Sequence, residues 1–516
     1  MKNEIIPYFF TSLYERIYLM KILNRLFHFD ERGAKLSNEI IGGIITFIAM
    51  CYILPVNASI LSSPAMGMDS AGVFAMTAIV SCIVTLIMGL VANYPIALSA
   101  GMGLNAYLAF TLSSNLGFTS WQQKMIIVTI SGIIFFFFSL TPVRKIIIES
   151  IPKDLKNIIS AALGVFIAFV GLKGSGIIVS DESTLVSLGS FLDPGMLIAF
   201  ICLLVCFFLM MTKRKMLSSL AIPISILLAA ILGIITSSIL ISNGGLVNEN
   251  GWMYTSDNLS NLQMNLPIAP WHSKDLSWGA SGVEKVFFFG LATDSYSLSD
   301  FGKDLTLVFK TPASYIAVFS LCFVNLFDTT ATLLAVGEST GIIDENGKMK
   351  NYRRAVLADA SGALICGPLG TSTVTSFVES NVGVSVGAKT GLSACITALL
   401  FLLSAFIYPV FSIFTAGSVT SSALICVGAM IFVSHLKDLN WKDPVIGFTA
   451  FATVLFALLT YSISDGIGLG LIIYVVMMFA CKRYKEVKPP IYCVTGFFLL
   501  AFLLQAVLPV ITNKAT

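Results

Sequence analysis

Apolar runs recur along almost the whole chain, most of them close to the roughly 17–25 residues a helix needs to cross a bilayer. They cover 41–62, 71–92, 95–113, 124–141, 157–172, 195–211 and 219–241. Beyond a polar stretch at 242–312 come 313–336, 355–367, 371–385, 390–411, 420–435, 443–461 and 464–481, with an additional run at 491–511. The pattern predicts an all-α polytopic membrane protein with seven spans, a long loop and seven more. Residues 1–40 form the N-terminal segment. There "SLYERIYLMKILNRLFHFDERG" reads as an amphipathic, interfacial lead-in, since a charged n-region, an apolar h-region and a cleavage site do not follow one another.

Two spans break the helical pattern. "NYPIALSAGMGLNAYLAF" carries Pro95, Gly101 and Gly103 before a helix-compatible run, and "GPLGTSTVTSFVES" carries Gly367, Pro368 and Gly370 before a Thr/Val alternation. Gly and Pro interrupt a helix, and β-branched residues favour extended backbone. Neither segment is expected to be a full-length helix; each breaks before a helix start. They are the third spans of the two sevens, and seven spans invert the second half relative to the first. Interrupted segments at corresponding places in inverted halves point to a binding site near the bilayer midplane. The spacing agrees: Asn57 to Asn105 is 48 residues and Asp328 to Glu379 is 51.

Composition sharpens this. Of 516 residues 56% are hydrophobic and 11% charged, against about 25% charged in a soluble domain. The net charge of +3 matters less than its placement. Lys and Arg cluster at 16–35, 144–156, 213–215, 348–354 and 482–488, all on one side if the N-terminus is cytoplasmic, which leaves 242–312 external. The ten Cys lie mostly inside apolar runs without CxxC, and the three His are far apart, so no metal site or other cofactor is expected. Nothing interleaves the basic clusters as nucleic-acid binding requires.

Within the apolar runs a few groups stand out. Glu379 follows the second break; a carboxylate at that depth costs about 2.5–3.5 kcal/mol on insertion scales and usually marks a substrate or proton path, the alternative being a cap on its own helix. Asp328, in "FVNLFDTTATLLAVGE", sits in mid-span, with Asn325 one turn earlier. It either serves function or bonds two helices together. Asn105 either meets a ligand or glues helices. Thr371, Ser372, Thr373, Thr375 and Ser376 either bond a ligand or satisfy the broken backbone, and Phe377 completes the candidate set. Asp69, Lys173, Glu338 and Asp465 lie near span ends, where they can reach the interface.

"EIIGGIITFIAMCYILPVNASIL", "MGLVANYPIALSAGMGLNAYLAF", "FVNLFDTTATLLAVG", "GPLGTSTVTSFVESNVGVSVGAKTGLSA" and "LLTYSISDGIGLGLIIYV" resemble the AzgA-like purine permeases of the nucleobase–cation symporters, from about Leu23 to Val487. The resemblance implies two inverted repeats of seven spans, the third and tenth each with a short strand leading into a half-helix. A core domain would comprise 41–141 and 313–411, and a gate domain 157–241 and 420–481, with substrate carried by movement of core against gate. It implies a purine nucleobase as substrate, H+ as coupling ion, a cell-membrane location and a substrate region at Gly103, Asn105, Asp328 and Glu379. A homodimer through the gate domains would be consistent with the wider family. Two departures stand out: the family commonly has Asp where this chain has Asn325, and the loop before 313 is longer here, with an apparent insertion.

Chemistry then suggests a preference. Guanine presents N1–H and N2–H₂ side by side, and an ionised carboxylate accepts both in a bidentate, charge-assisted pair. Adenine presents an N1 acceptor beside its amino donor and mismatches. Glu379 as the base-holding group therefore predicts 6-oxopurines, and Asp328 or Glu379 carries the proton. A sulfate- or bicarbonate-type transporter would share the architecture, but two acids at the site disfavour a dianion. A membrane enzyme lacks a catalytic constellation here, and a channel lacks a filter motif.

Overall fold

The computed structural model describes residues 21, 23–112, 118–141, 151–181, 185–213, 217–218, 220–242, 283–291, 296–340, 349–408, 411, 414, 417–460 and 462–512. Most of the amphipathic lead-in and much of the 242–312 stretch lie outside them.

After a short helical turn at Phe29–Arg32 come α1 (Leu36–Met50) and α2 (Ile53–Leu61), which together form one apolar stretch, and α3 (Ser70–Ile87), which ends in a π-helical turn at Met88–Ala92. Then come β1 (Leu98–Ala100) and the short α4 (Met102–Ala106), extended by a second π-helical turn at Tyr107–Thr111. Helices α5 (Trp121–Leu140) and α6 (Lys153–Gly174), the hairpin of β2 (Ile178–Asp181) and β3 (Leu185–Leu188), α7 (Pro194–Met210) and α8 (Ala221–Ser242) complete the first part. Short α9 (Val283–Val286) and α10 (Leu298–Lys310) precede the long α11 (Pro312–Thr340). After it come α12 (Tyr352–Cys366), β4 (Val374–Ser376), α13 (Ser380–Ser385), α14 (Gly391–Ser404), α15 (Gly417–Leu436), α16 (Pro444–Leu459), α17 (Ile463–Ala480) and α18 (Pro489–Thr512). Each expected apolar run has one of these elements. The two broken runs are strand followed by short helix.

Local chemistry explains the boundaries. Asp69 accepts the Gly72 N–H at 3.0 Å to start α3, and Asp193 and Asp443 do the same for α7 and α16, each followed by Pro at the first helical position. An acceptor before the first turn satisfies an N–H that the helix cannot, and Pro is preset for that position.

Among the described residues, six stretches are long and apolar enough to cross a membrane: Leu36–Leu61, Ser70–Ala92, Trp121–Leu140, Lys153–Gly174, Ala221–Ser242 and Pro312–Thr330. Large apolar side chains such as Leu90, Phe137, Phe208, Phe448 and Phe451 face outward, while Asn57, Asn105, Thr371 and Asp359 are buried inside. Apolar groups outside and polar groups within are the reverse of a soluble protein, and match a hydrocarbon surround. The molecule is a multi-pass membrane protein. Helix α6 runs against α15, where a Cβ on Gly164 would stand 2.8 Å from the Gly428 carbonyl, so the two backbones touch.

Candidate functional site

The two broken segments meet. β1 pairs antiparallel with β4, with Leu98 opposite Ser376, Ser99 opposite Thr375 and Ala100 opposite Val374. The ladder extends on both sides, through Phe377 N–H to the Ala97 carbonyl at 3.0 Å and Gly101 N–H to the Thr373 carbonyl at 2.9 Å. This is how non-helical backbone is satisfied at depth: each broken segment supplies the other's partners. Helices α4 and α13 leave this two-stranded centre.

Around it lie two hydrogen-bonded groups. The first joins Asn57 on α2, Thr77 on α3, Asn105 on α4, and Thr371 and Ser372 ahead of β4. The Asn57 amide donates to Thr77 at 2.8 Å and Thr371 at 3.1 Å, and its oxygen accepts from the Asn105 amide at 2.6 Å. Ser372 donates to the Asn105 oxygen. All five side chains are buried. Both ends of the Asn105 amide are thus engaged by protein. Gly103 does not face this group. A Cβ there would lie 2.2 Å from Leu163 Cδ1, so Gly103 marks a close approach of α4 to α6.

The second group gathers carboxylates. Glu379 stands at the start of α13, yet its side chain makes no capping bond. Its Oε1 accepts instead from the Tyr52 hydroxyl at 2.8 Å, across from the start of α2. Asp359 on α12, fully buried, accepts from Thr329 at 2.8 Å and from Ser376 at 3.1 Å. Thr329 and Thr375 are 3.2 Å apart. Asp328, beside Thr329 on α11, reaches the Thr375 hydroxyl and interacts electrostatically with both Asp359 and Glu379. Among the described residues no lysine or arginine is a partner of Asp328 or Glu379. Residues Asp328 and Glu379 are half-buried and Asp359 is fully buried. Asn325 is buried with both amide atoms unbonded among the described residues. No group of three His, Cys, Asp or Glu among them is arranged to hold a metal ion.

The structure therefore brings Asp328, Thr375, Ser376 and Glu379 together, places Phe377 in the strand pairing, and puts Asn105 and Gly103 in separate roles beside them. Sequence reasoning missed Tyr52, Thr329 and Asp359. Asp359 carried a readable signal, a carboxylate inside the 355–367 run, masked by Arg353 and Arg354 just before it. Tyr52, in the apolar "AMCYILP", carried none.

Comparison with known proteins shows the family. Residues 37–466 match the sequence model of the Xan_ur_permease group, described as a permease family. The chain belongs to this permease family. It is 36% identical to the guanine/hypoxanthine permease PbuO of Bacillus subtilis (strain 168), over 93% of this permease and 100% of that protein. It is 31% identical to the adenine permease AdeP of Escherichia coli (strain K12), over 93% of this permease and 95% of that one. The resemblance to AzgA-like permeases drawn from the motifs thus extends over most of the chain, and this permease is a transporter, not an enzyme. In fold it is similar to the transmembrane domain of a cyanobacterium bicarbonate transporter BicA, with TM-score 0.57 and 13% identity, over 83% of this permease and 97% of that domain. At that identity the likeness is one of fold.

Proposed function

We propose that this permease imports 6-oxopurine nucleobases, guanine and hypoxanthine foremost, by proton symport across the cell membrane. Its spans form two inverted sevens, with the N-terminus cytoplasmic. Two correspondences support the inverted arrangement: a strand leading into a short helix at 98–106 and at 374–385, and a helix opened by Asp-Pro at 193–194 and at 443–444. Segments 41–141 and 313–411 act as core, and 157–241 and 420–481 as gate, with alternating access arising from movement of one against the other.

The carrying observation is the Glu379 carboxylate, held by the Tyr52 hydroxyl at the start of α13. A carboxylate has about four lone-pair directions. One bond from Tyr52 leaves acceptors for the N1–H and N2–H₂ edge of guanine, or the N1–H of hypoxanthine. Asp328, which shares the Thr375 neighbourhood, takes the coupling proton from the outside and releases it inside. The two acids have separate jobs: Glu379 stays an acceptor to hold the base, and Asp328 alternates between acid and carboxylate.

A preference for adenine is the second reading, supported by the likeness to AdeP. It requires a protonated Glu379, whose O–H would donate to adenine N1 while its carbonyl oxygen accepts the amino hydrogen. Uptake of radiolabelled guanine in cells lacking their own purine permeases decides between them. Uptake that collapses with an uncoupler and survives excess cold adenine is expected. Uptake blocked by adenine at equal concentration overturns the carboxylate pairing.

A further inference from the structure

The external segment ahead of α11 takes no part in the site, yet it is tied to it. We propose that residues 283–291 and 296–310 form a brace fixed to the predicted core half, which positions the turn leading into β4, rather than a lid that swings over the site.

The anchors are specific. Lys285 on α9 pairs with Asp69 at 3.3 Å, and Asp69 already holds the start of α3. Asp304 on α10 accepts from Gln123 of α5 at 2.8 Å and from the Tyr296 hydroxyl at 2.7 Å. The Phe288 N–H donates to the Pro368 carbonyl at 2.6 Å. Two residues on, Gly370 has φ +74°, and a Cβ there would stand 2.4 Å from the Val286 carbonyl, so brace and turn meet backbone to backbone. Asp69, Gln123, Pro368 and Gly370 all lie in 41–141 or 313–411.

The brace also holds backbone strain. Phe288 and Phe289 have φ of +47° and +63°, a region that bulky residues rarely adopt. Such conformations persist where surrounding contacts over-determine them, and often at sites where position matters. Here Phe289 is buried and its ring packs on Phe301 of α10 with centroids 5.1 Å apart. The strained pair ends at the bond to Pro368. From there the chain runs through Thr371 and Ser372, which bond to Asn57 and Asn105, into β4 and on to Glu379. Where the brace sits sets where β4 begins.

The transport reading enters only as the readout. In the full-length permease, Gln123→Cys and Asp304→Cys are combined and bridged with a short, reducible bifunctional thiol reagent; wild type and each single variant receive the same treatment. Guanine uptake before bridging reports on the transport reading, and the change on bridging reports on the brace, so the two fail separately. Because both residues belong to one moving body, bridging is expected to leave the maximal rate of uptake unchanged and to reverse the rise in KM that loss of the Gln123–Asp304 hydrogen bond causes. Loss of uptake on bridging, restored by reduction, overturns the proposal in favour of a lid. A second variant needs no bridge. Asp304→Ala frees α10 from α5 and is expected to raise the apparent KM for guanine about threefold to tenfold, the scale of one or two lost hydrogen bonds, at unchanged surface amount and maximal rate. An unchanged KM at equal surface amount overturns the positioning role.

Discussion

Tyr52→Phe removes one oxygen and leaves the ring in its buried place. The lost group is the donor to Glu379 Oε1, at 2.8 Å. Hydrogen bonds to a charged partner contribute about 1.5–3 kcal/mol net. If that energy serves to aim the carboxylate at the base, its loss corresponds to roughly a tenfold to hundredfold weaker apparent affinity. The ring itself fills the same space, so packing is not the cause of the change. The assay is concentration-dependent guanine uptake, normalised to the amount of permease at the cell surface. A mutant cycle makes it decisive: in a Glu379→Ala chain, where the Tyr52 hydroxyl has lost this acceptor, adding Tyr52→Phe is expected to have little further effect on the uptake that remains at high substrate. Coupled groups show such non-additivity, and independent ones add. An equal loss in both backgrounds would mean that Tyr52 acts elsewhere, and an unchanged KM in the single variant refutes the orienting role outright.

Other expectations follow from the same geometry. Asp328→Asn should abolish uphill accumulation while leaving exchange of base across the membrane; accumulation equal to wild type, measured with labelled guanine and an imposed pH gradient, removes Asp328 from coupling. Gly103→Ala drives a methyl into Leu163, and overpacking of this kind costs about 1–3 kcal/mol; the uptake rate should fall, and Leu163→Ala in the same chain should restore it, whereas a double variant no better than the single contradicts a steric cause. Glu39, buried in α1, accepts from the N–H groups of Lys389, Thr390 and Ser393 at the start of α14. Glu39→Ala orphans these donors, at about 1–3 kcal/mol for each buried group left unpaired, and should lower the melting temperature of the purified permease more than Glu39→Gln, which keeps an acceptor oxygen; equal melting of all three forms refutes it.

Much of this permease was readable along the chain. Long apolar runs become helices because a bilayer leaves the backbone no other partner for its N–H and C=O groups. Pro95 precedes β1 and Gly101 caps α4, while Gly367, Pro368 and Gly370 precede β4, whose Thr and Val suit extended backbone. Asp328 and Glu379 stood out because a carboxylate in an apolar run needs a reason. All of these are local properties, carried by residue type and spacing. Tertiary structure alone decided who meets whom. Tyr52 reaches Glu379 across 327 positions, and Asn57 reaches Thr371 across 314; no periodicity encodes such pairs, because they depend on how β1 and β4 join. The same junction brought Asn57 and Ser372 to the two ends of the Asn105 amide. It also brought Asp359, hidden behind two arginines in the sequence, into the group of carboxylates around Thr329 and Ser376. A side chain's chemistry belongs to its residue, but whether that chemistry is spent on the fold or left for a ligand depends on which partners the folded chain puts within about 3 Å of it.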